Sequence, residues 1–275
     1  MGRAIEVVAG FATNPGATLT ALTPSTNTSF TVRGTDTTKN AWLASGWAFN
    51  ATAGEFVIKS PRLHDNVQGI RNRVTAASTL PLFNSPFNPM AKQRLFAQDN
   101  LSVLVSGGGA ELDCGAVLIY YEDLAGVAGR FVDYATLTKS GINLVTAEVT
   151  ITAVATGNFG GAVAINSTFD TLKANTDYAI LGGMTDTRGT AVGITGVDLG
   201  NLRVGFPAEP AIRDVTNNWF IGLAQNLGLP AIPVINSANK AAITIDVETN
   251  GAGGTFVVNL TLLEMAQGAV SAAGL

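Results

Sequence analysis

The stretch LIYYE at residues 118–122 recurs as LTLLE at residues 260–264, which is 142 positions further along the chain. The same offset relates LSVLV at residues 101–105 to ITIDV at residues 243–247. A self-match of fixed period indicates a fold that is built from repeated units. We therefore expect two like units, each of the usual size of a domain.

Three further pairs of segments support the repeat. They are LPLFNS and IPVINS at residues 80–85 and 232–237, FVIKSP and LRVGFP at residues 56–61 and 202–207, and Ile-Arg at residues 70–71 and 212–213. The common order of the five pairs and their nearly constant offset indicate an internal duplication.

Two segments have helical spacing, and they occupy corresponding places in the two units. Residues 65–77 carry Val67, Ile70 and Val74 behind Asp65, a candidate helix N-cap. Residues 211–226 carry apolar side chains at i, i+3, i+7, i+8 and i+11. These side chains are Ile212, Val215, Trp219, Phe220 and Leu223. We predict a short helical excursion in each unit.

The rest of the chain has the pattern of short strands separated by Gly, Pro and Asn, which is typical of β-sandwiches and barrels. The 31 glycines fit this pattern, because tight turns need backbone freedom. We predict an all-β protein of two tandem β-sandwich or jelly-roll units. The first unit spans residues 1–128, a linker spans residues 129–143, and the second unit spans residues 144–275.

The composition is apolar and poor in charge. Hydrophobic residues make up 47% of the chain and charged residues 13%, with a net charge of −4. So large a neutral surface is either covered by other copies and partners or formed by a solvated exterior rich in Thr, Asn and Ser. No signal sequence opens the chain, so we expect synthesis in a host cytoplasm.

Chemistry-bearing residues are scarce. His64 is the single histidine and has no nucleophile context around it, and Cys114 is the single cysteine, expected to be a small buried side chain. No spacing suits a metal ion, a phosphate or a cofactor. We expect no enzymatic activity, no catalytic residues, no cofactor and no metal site.

Basic residues concentrate between positions 59 and 94, where Asp65 is the single acidic residue. The candidate basic patch consists of Lys59, Arg62, Arg71 and Arg73. It has two interpretations: proximity to lipid headgroups or nucleic acid, or contact with acidic residues of a neighbouring copy. The candidate acidic residues are Glu111, Asp113, Glu122 and Asp123.

The first unit contains extra residues at positions 86–94, which are predicted to form a surface loop that contacts a neighbour. The candidate subunit contacts are Pro86, Phe87, Pro89, Lys92 and Arg94.

The paired units at residues 4–124 and 145–263, each with a helical excursion and a long last strand, resemble the double jelly-roll major capsid proteins of tailless icosahedral, often membrane-containing, viruses. The resemblance implies a virion shell protein whose partners are itself and other virion proteins. It also implies a homotrimer that forms a pseudo-hexagonal capsomer.

Two other interpretations stay open. A capsid decoration protein or a tail-associated protein shares all the features of composition. A carbohydrate-binding module of tandem β-sandwiches would need a line of exposed aromatic side chains, and Trp42, Trp47 and Trp219 are scattered in sequence.

Overall fold

The computed structural model describes residues 2–26, 28–35, 40–49, 52–63, 66–74, 93–107, 112–152, 157–168, 170–249 and 254–270. In the first half of the chain the elements are β1 (Ala4–Thr13), β2 (Gly16–Ala21), β3 (Thr23–Pro24), β4 (Asn40–Phe49), β5 (Gly54–Lys59), β6 (Ile70–Val74), β7 (Gln93–Phe96), β8 (Ser102–Gly107) and β9 (Leu112–Tyr121). In the second half they are β10 (Phe131–Val132), α1 (Tyr134–Ser140), β11 (Gly141–Thr152), β12 (Phe159–Ala164), β13 (Asp177–Thr185), β14 (Ala191–Thr195), β15 (Val204–Pro207), α2 (Arg213–Thr216), α3 (Trp219–Leu227), β16 (Ile232–Asn236), β17 (Thr244–Glu248) and β18 (Thr255–Met265). Short 3-10 turns lie at Pro210–Ile212 and Ser237–Asn239.

Each half of the chain forms two antiparallel sheets. Sheet 1A has the order β3-β1-β9-β4-β7, and sheet 1B has the order β2-β8-β5-β6. Sheet 2A has the order β10-β16-β13-β18-β11, and sheet 2B has the order β12-β17-β14-β15. Without the two-residue strands β3 and β10, the eight strands of each half follow the same orders, 1-8-3-6 and 2-7-4-5. This is a jelly roll, so the predicted fold of two tandem jelly-roll units is confirmed.

The sequence matches are correct at the ends of the units and wrong upstream. The two matches at an offset of 142 fall in β8 with β17 and in β9 with β18, which are the seventh and eighth strands of their units. The match of residues 56–61 with 202–207 is wrong, because it pairs β5, a fourth strand, with β15, a fifth strand. Residues 70–71 lie in a strand, whereas 212–213 lie at a helix start. Residues 80–85 lie outside the described residues.

The second predicted helical excursion is confirmed, and the first is wrong. Residues 211–226 contain α2 and most of α3, which ends at Leu227. Its C-cap Gly228 has the left-handed conformation, φ 63°, that a helix C-terminus favours. Within residues 65–77, Ile70–Val74 is instead strand β6, paired antiparallel with β5. Strand spacing and helical spacing both fit Ile70 and Val74, and pairing with β5 decides between them.

The proposed linker, residues 129–143, contains regular structure. Strand β10 pairs with β16 at the edge of sheet 2A. Helix α1 follows, and its N-cap Asp133 accepts a hydrogen bond from the backbone N–H of Thr136 at 2.7 Å. Residues 129–143 remain our proposal for the boundary between the units.

Sheet 1A is buried on both faces, because the two units stack through it. Its inward side chains, including Ala4, Val8 and Val117, pack with Phe56 and Ile58 of sheet 1B. The alternate side chains of the same strands belong to a second apolar cluster, which continues into the other unit. These are Ile5, Val7, Ala9, Trp47, Ala116, Leu118 and Tyr120.

Sheet 2B lies against this second face of sheet 1A, and we call the contact the joint. The backbone N–H of Val7 donates to the carbonyl oxygen of Arg203 at 2.7 Å. Trp47 Nε1 donates to the carbonyl oxygen of Thr190 at 2.8 Å. The rings of Trp47 and Trp219 meet edge to face with centroids 5.4 Å apart. The four layers therefore follow the order 1B, 1A, 2B, 2A.

Gly205→Ala should loosen the joint. A Cβ atom at residue 205 would lie 2.5 Å from the carbonyl oxygen of Val192 and 2.6 Å from Val7 Cγ1. Overpacking of this kind costs about 1–3 kcal/mol of unfolding free energy, which urea denaturation measures. Gly222→Ala in α3 is the matched control, because its new Cβ meets nothing within 4 Å. Equal stability of the two variants would contradict the role of Gly205.

Candidate interaction surfaces

The outer face of sheet 1B carries charged side chains that are partly paired. Phe56 and Ile58 of β5 point into the core, so Glu55, Val57 and Lys59 lie on the other face by strand alternation. Val57 is fully buried there, so this face is covered at its centre and exposed at the charged residues around it. Arg71 and Arg73 of β6 lie opposite Val57 and Glu55. Arg71 Nη1 is 2.7 Å from Glu55 Oε2, and Arg73 Nη2 is 3.3 Å from Glu55 Oε1.

The structure brings three members of the predicted basic patch to this face. Lys59, Arg71 and Arg73 share it, whereas Arg62 lies in the turn after β5, with its guanidinium 5.8 Å from the centroid of the Phe96 ring. The carboxylate of Glu55 offsets one of the three positive charges of Lys59, Arg71 and Arg73. The remaining excess is positive, so an acidic or neutral partner surface suits this face.

The predicted subunit contacts lie mostly outside the described residues. Pro86, Phe87, Pro89 and Lys92 belong to that part of the chain. Arg94 is not in a loop: it lies in β7, paired with Trp42 of β4, and its guanidinium sits 5.0 Å from the centroid of the Trp42 ring. The extra segment predicted at residues 86–94 is therefore wrong at its end, since the strand begins at Gln93.

The acidic residues proposed as partners of the basic patch are only partly described. Glu111 lies outside the described residues, as does His64. Glu122, which follows β9, is exposed, and Asp123 beside it is half-buried. Both help to line a cleft with Tyr121 at the end of the first unit, away from the outer face of sheet 1B.

The tryptophans do not form an exposed line. Trp47 and Trp219 are buried against each other in the joint, and Trp42 is half-buried beneath Arg94. The exposed aromatic row that would favour a carbohydrate-binding module is therefore not made by these three residues.

The two units differ at equivalent positions of sheets 1B and 2B. Ile58 pairs with Val103 and Ile70, and its equivalent Ile194 pairs with Ile245 and Val204. When the strands are aligned on these equivalent residues, four outward-facing side chains of sheet 1B correspond to alanine, glycine or proline in sheet 2B. Glu55, Val57, Arg71 and Arg73 correspond to Ala191, Gly193, Gly205 and Pro207. At these four positions the second unit has no long side chain between it and sheet 1A, whereas the first unit has ion-paired side chains there.

The outer face of sheet 2A is rich in threonine and poor in charge. Val149 and Ile151 of β11 point into the core, so Thr146, Glu148 and Thr150 point outwards. Val257 and Asn259 of β18 are half-buried on the same face. The face ends in two exposed apolar side chains, Ile142 at 57% and Leu144 at 67% exposure.

Part of this face is covered by the chain itself. Asn217, just after α2, accepts a hydrogen bond from Thr261 Oγ1 of β18 at 3.1 Å. One backbone N–H group at the edge of β11 also has a partner within the chain, because Thr168 Oγ1 accepts a hydrogen bond from the N–H of Thr150 at 3.0 Å. The open area is therefore centred on β11 and the neighbouring part of β18.

The joint contains a buried charged cluster. Arg203 Nη2 lies 2.8 Å from Asp246 Oδ2, and Ser25 Oγ donates to Glu248 Oε1 at 2.6 Å. Burial raises the pKa of Glu248 well above its usual value, although the Ser25 hydrogen bond opposes the shift. Burial also raises the pKa of Asp246, against the attraction of Arg203.

Several buried polar atoms at the joint have no hydrogen-bond partner among the described residues. They are Ser45 Oγ, Tyr120 OH, Thr190 Oγ1, Trp219 Nε1 and Glu248 Oε2. Burying such a group without a partner costs about 1–3 kcal/mol. The joint therefore combines close apolar packing with polar groups that are imperfectly satisfied.

The sequence analysis missed this cluster. In the second unit, Asp246 and Glu248 alternate with Ile245 and Val247, which is the pattern of a strand with one solvated face. The available signal lies in the first unit, where β9 runs as the nearly continuous apolar stretch AVLIYY at residues 116–121. Such a run is typical of a strand that is buried on both faces, and it requires another surface to cover it.

The described residues contain no group of three or more His, Cys, Asp or Glu side chains that could hold a metal ion. Among the same residues, no helix is both long and apolar enough to cross a membrane. Cys114 is buried, as predicted.

No protein-family model matches the chain, and no curated protein matches it. Among solved structures, the PBSX exported protein XepA is similar with a TM-score of 0.28 and 11% identity, covering 94% of this chain and 86% of that one. The major capsid protein P2 of bacteriophage PM2 has a TM-score of 0.23 and 6% identity, covering 96% and 97%. The STIV major capsid protein has a TM-score of 0.20 and 9% identity, covering 95% and 88%. Similarity this loose carries no functional inference.

Glu55→Gln should leave the fold almost unchanged. Arg71 and Arg73 are 38% and 83% exposed and Glu55 is 15% exposed. Ion pairs whose cations are open to solvent in this way contribute about 0–1 kcal/mol to stability. Urea denaturation should show a change in unfolding free energy within that range. Glu6→Gln is the comparison, because Glu6 is buried and holds both Arg33 Nε and Nη2, so it should cost more. A larger loss for Glu55→Gln would contradict this ranking.

Proposed function

We propose that this protein is a structural component of a virion, most specifically a major capsid protein that assembles into trimeric, pseudo-hexagonal capsomers. Its role is structural rather than enzymatic, and it acts in the capsid shell. Its partners are copies of itself and other virion proteins.

The observation that carries the proposal is the layer order 1B, 1A, 2B, 2A. Inside the chain, an A sheet of one jelly roll packs on the B sheet of the next. The stack leaves one B-sheet face, that of sheet 1B, and one A-sheet face, that of sheet 2A, at its two ends. The A-on-B contact can therefore be repeated between copies.

A contact of this kind is heterologous, since each copy gives a different surface to each neighbour. Heterologous contacts form closed rings when the rotation between copies closes, and open filaments when it does not. Each copy adds two barrels, so a ring of three copies has six barrels around its axis. Such a ring is a pseudo-hexagonal capsomer.

The chemistry of the two end faces suits this contact. Sheet 2A offers threonines, the exposed Ile142 and Leu144, and Glu148, which makes no ion pair within the described part of the chain. Sheet 1B offers Arg71 and Arg73, whose charge Glu55 only partly offsets. Opposite charges across a largely uncharged interface fix its register and its partner.

Two basic residues remain for a further partner. Neither Lys59 nor Arg62 has a carboxylate at ion-pair distance in the described ranges. Polyanions, whether lipid headgroups or nucleic acid, are the class of partner that such residues attract. This contact is a secondary part of the proposal.

The first experiment is light scattering of the purified protein with negative-stain imaging of the eluted species. The expected result is a mass of three chains and a six-lobed outline. A stable monomer at all concentrations would contradict the capsomer, and it would favour a decoration or tail-associated protein or a carbohydrate-binding module.

Arg73→Glu should weaken assembly while leaving the monomer folded. Residue 73 is 83% exposed, and a like charge facing Glu148 opposes docking, so we expect at least about a tenfold loss in association, equivalent to ~1.4 kcal/mol. Analytical ultracentrifugation measures this change. The control is Lys139→Glu in α1, which makes a change of charge of the same sign and size at an exposed residue that is not in sheet 1B or sheet 2A.

The charge-swapped double variant sharpens this test. Arg73→Glu together with Glu148→Arg should recover part of the lost association, because the two faces become complementary again. If Arg73→Glu assembles as the native protein does, sheet 1B is not the docking face. If the double variant associates no better than Arg73→Glu alone, Glu148 does not face Arg73.

Deletion of residues 86–92 should also give a folded protein that no longer assembles. The deletion stops before Gln93, so that β7 and the contact of Arg94 with Trp42 are kept. Circular dichroism measures the fold, and size-exclusion chromatography measures the assembly. Intact assembly of the deletion variant would remove this segment from the list of subunit contacts.

A further inference from the structure

We propose that the joint is an alkaline-sensitive switch: when Glu248 loses its proton, the joint opens at the end where Glu248, Thr190 and Trp47 meet. The inference concerns contacts within one chain, so it does not depend on the proposed assembly.

Glu248 is enclosed by both units at this end of the joint. Its side chain is 0% exposed, and Ser25 of the first unit donates to Oε1 at 2.6 Å. Its carbonyl oxygen accepts from the backbone N–H of Thr190 at 2.7 Å. The carbonyl oxygen of Thr190 in turn accepts from Trp47 Nε1 at 2.8 Å. Glu248 is thus two hydrogen bonds away from the tryptophan pair of the joint.

The charged groups that act on Glu248 are Arg203 and Asp246. Arg203 is already held by Asp246 through Nε and Nη2. A second carboxylate would have to share this cation, and it would feel the repulsion of Asp246. The cluster therefore accommodates one negative charge, and Glu248 remains protonated while the joint is closed.

The direction of the pH effect follows from proton linkage. In an open, solvated joint, Glu248 would lose its proton near the ordinary value of 4.5. In the closed joint, burial holds its pKa well above that value. Opening therefore becomes about tenfold more favourable per pH unit between the two pKa values and levels off above the higher one.

Polar groups without partners place the opening at this end. Glu248 Oε2, Thr190 Oγ1 and Trp219 Nε1 are all buried without a hydrogen-bond partner among the described residues. Opening hydrates these groups, which offsets part of the cost of exposing apolar surface. The opposite end has the backbone bond from Val7 to Arg203 at 2.7 Å, and it stays closed.

Cys114 provides a reporter for the opening. It lies on the same face of β9 as Ala116, Leu118 and Tyr120, which is the face toward the second unit, and it is buried. Strand pairing places it beside Phe49, whose ring has the Arg188 guanidinium of the second unit 6.0 Å from its centroid. Because Cys114 is fully buried on this face, we use its labelling by a thiol reagent to follow the opening of this end of the joint.

The experiment measures the rate of Cys114 labelling from about pH 6 to pH 9, on either side of the ordinary thiol pKa of about 8.5. It compares the native protein with Glu248→Gln, and tryptophan emission is recorded in parallel. The ionisation of the thiol affects both proteins equally, so the ratio of their rates isolates Glu248. The ratio should rise by up to about tenfold per pH unit and then level off. The emission of the native protein should shift to the red over the same range, whereas that of Glu248→Gln should not.

Asp214→Asn is the matched control, since it removes an exposed carboxylate in α2 that belongs neither to the joint nor to the proposed docking faces, and its labelling should follow the native profile. Ser25→Ala is the second variant: it removes the hydrogen bond that favours the ionised form, so the levelling-off should move to higher pH. Circular dichroism confirms that each variant is folded. A flat ratio of native to Glu248→Gln rates would overturn the proposal, as would an unchanged profile for Ser25→Ala.

Discussion

A β-sheet that is apolar on both faces has to be covered twice, and sheet 1A is such a sheet. One side of it packs on sheet 1B within the first jelly roll, and the other side packs on sheet 2B of the second. Burial of apolar surface contributes about 25 cal/mol per Å², so exposing the second side would remove a large part of the stabilisation. The position of the second unit, the small residues of sheet 2B and the identity of the free outer faces all depend on this one sheet.

The sequence predicted the fold class well because strand punctuation and the repeat of the last two strands are local signals. The matches at an offset of 142 succeeded because β8 with β9 and β17 with β18 are joined by short connections in both units. They failed upstream, where the connections differ in length and where any alternating apolar strand resembles its neighbour. Residues 56–61 therefore matched a fifth strand rather than the fourth.

The interaction surfaces were harder to predict from sequence. Arg71 and Arg73 were recognised as basic, but helical spacing was assigned to a segment that contains strand β6. Only the strand places both arginines on one face with Glu55. The cluster around Glu248 was missed because a carboxylate in an alternating strand resembles a solvated side chain. Its burial depends on contacts with the first unit across more than two hundred positions of sequence, which no local pattern records.

The double burial of sheet 1A also sets an order of events during synthesis. The first unit leaves the ribosome before any of sheet 2B exists, so Ile5, Val7, Trp47 and Leu118 have no cover at that stage. At about 5–20 residues per second, the remaining half of the chain takes roughly 7–28 s to follow. During this interval the nascent first unit exposes the apolar face of sheet 1A. Other nascent chains translated from the same mRNA are among the surfaces that this face contacts. The first unit is thus synthesised first, but the second face of its sheet 1A is buried only after the second unit has been made.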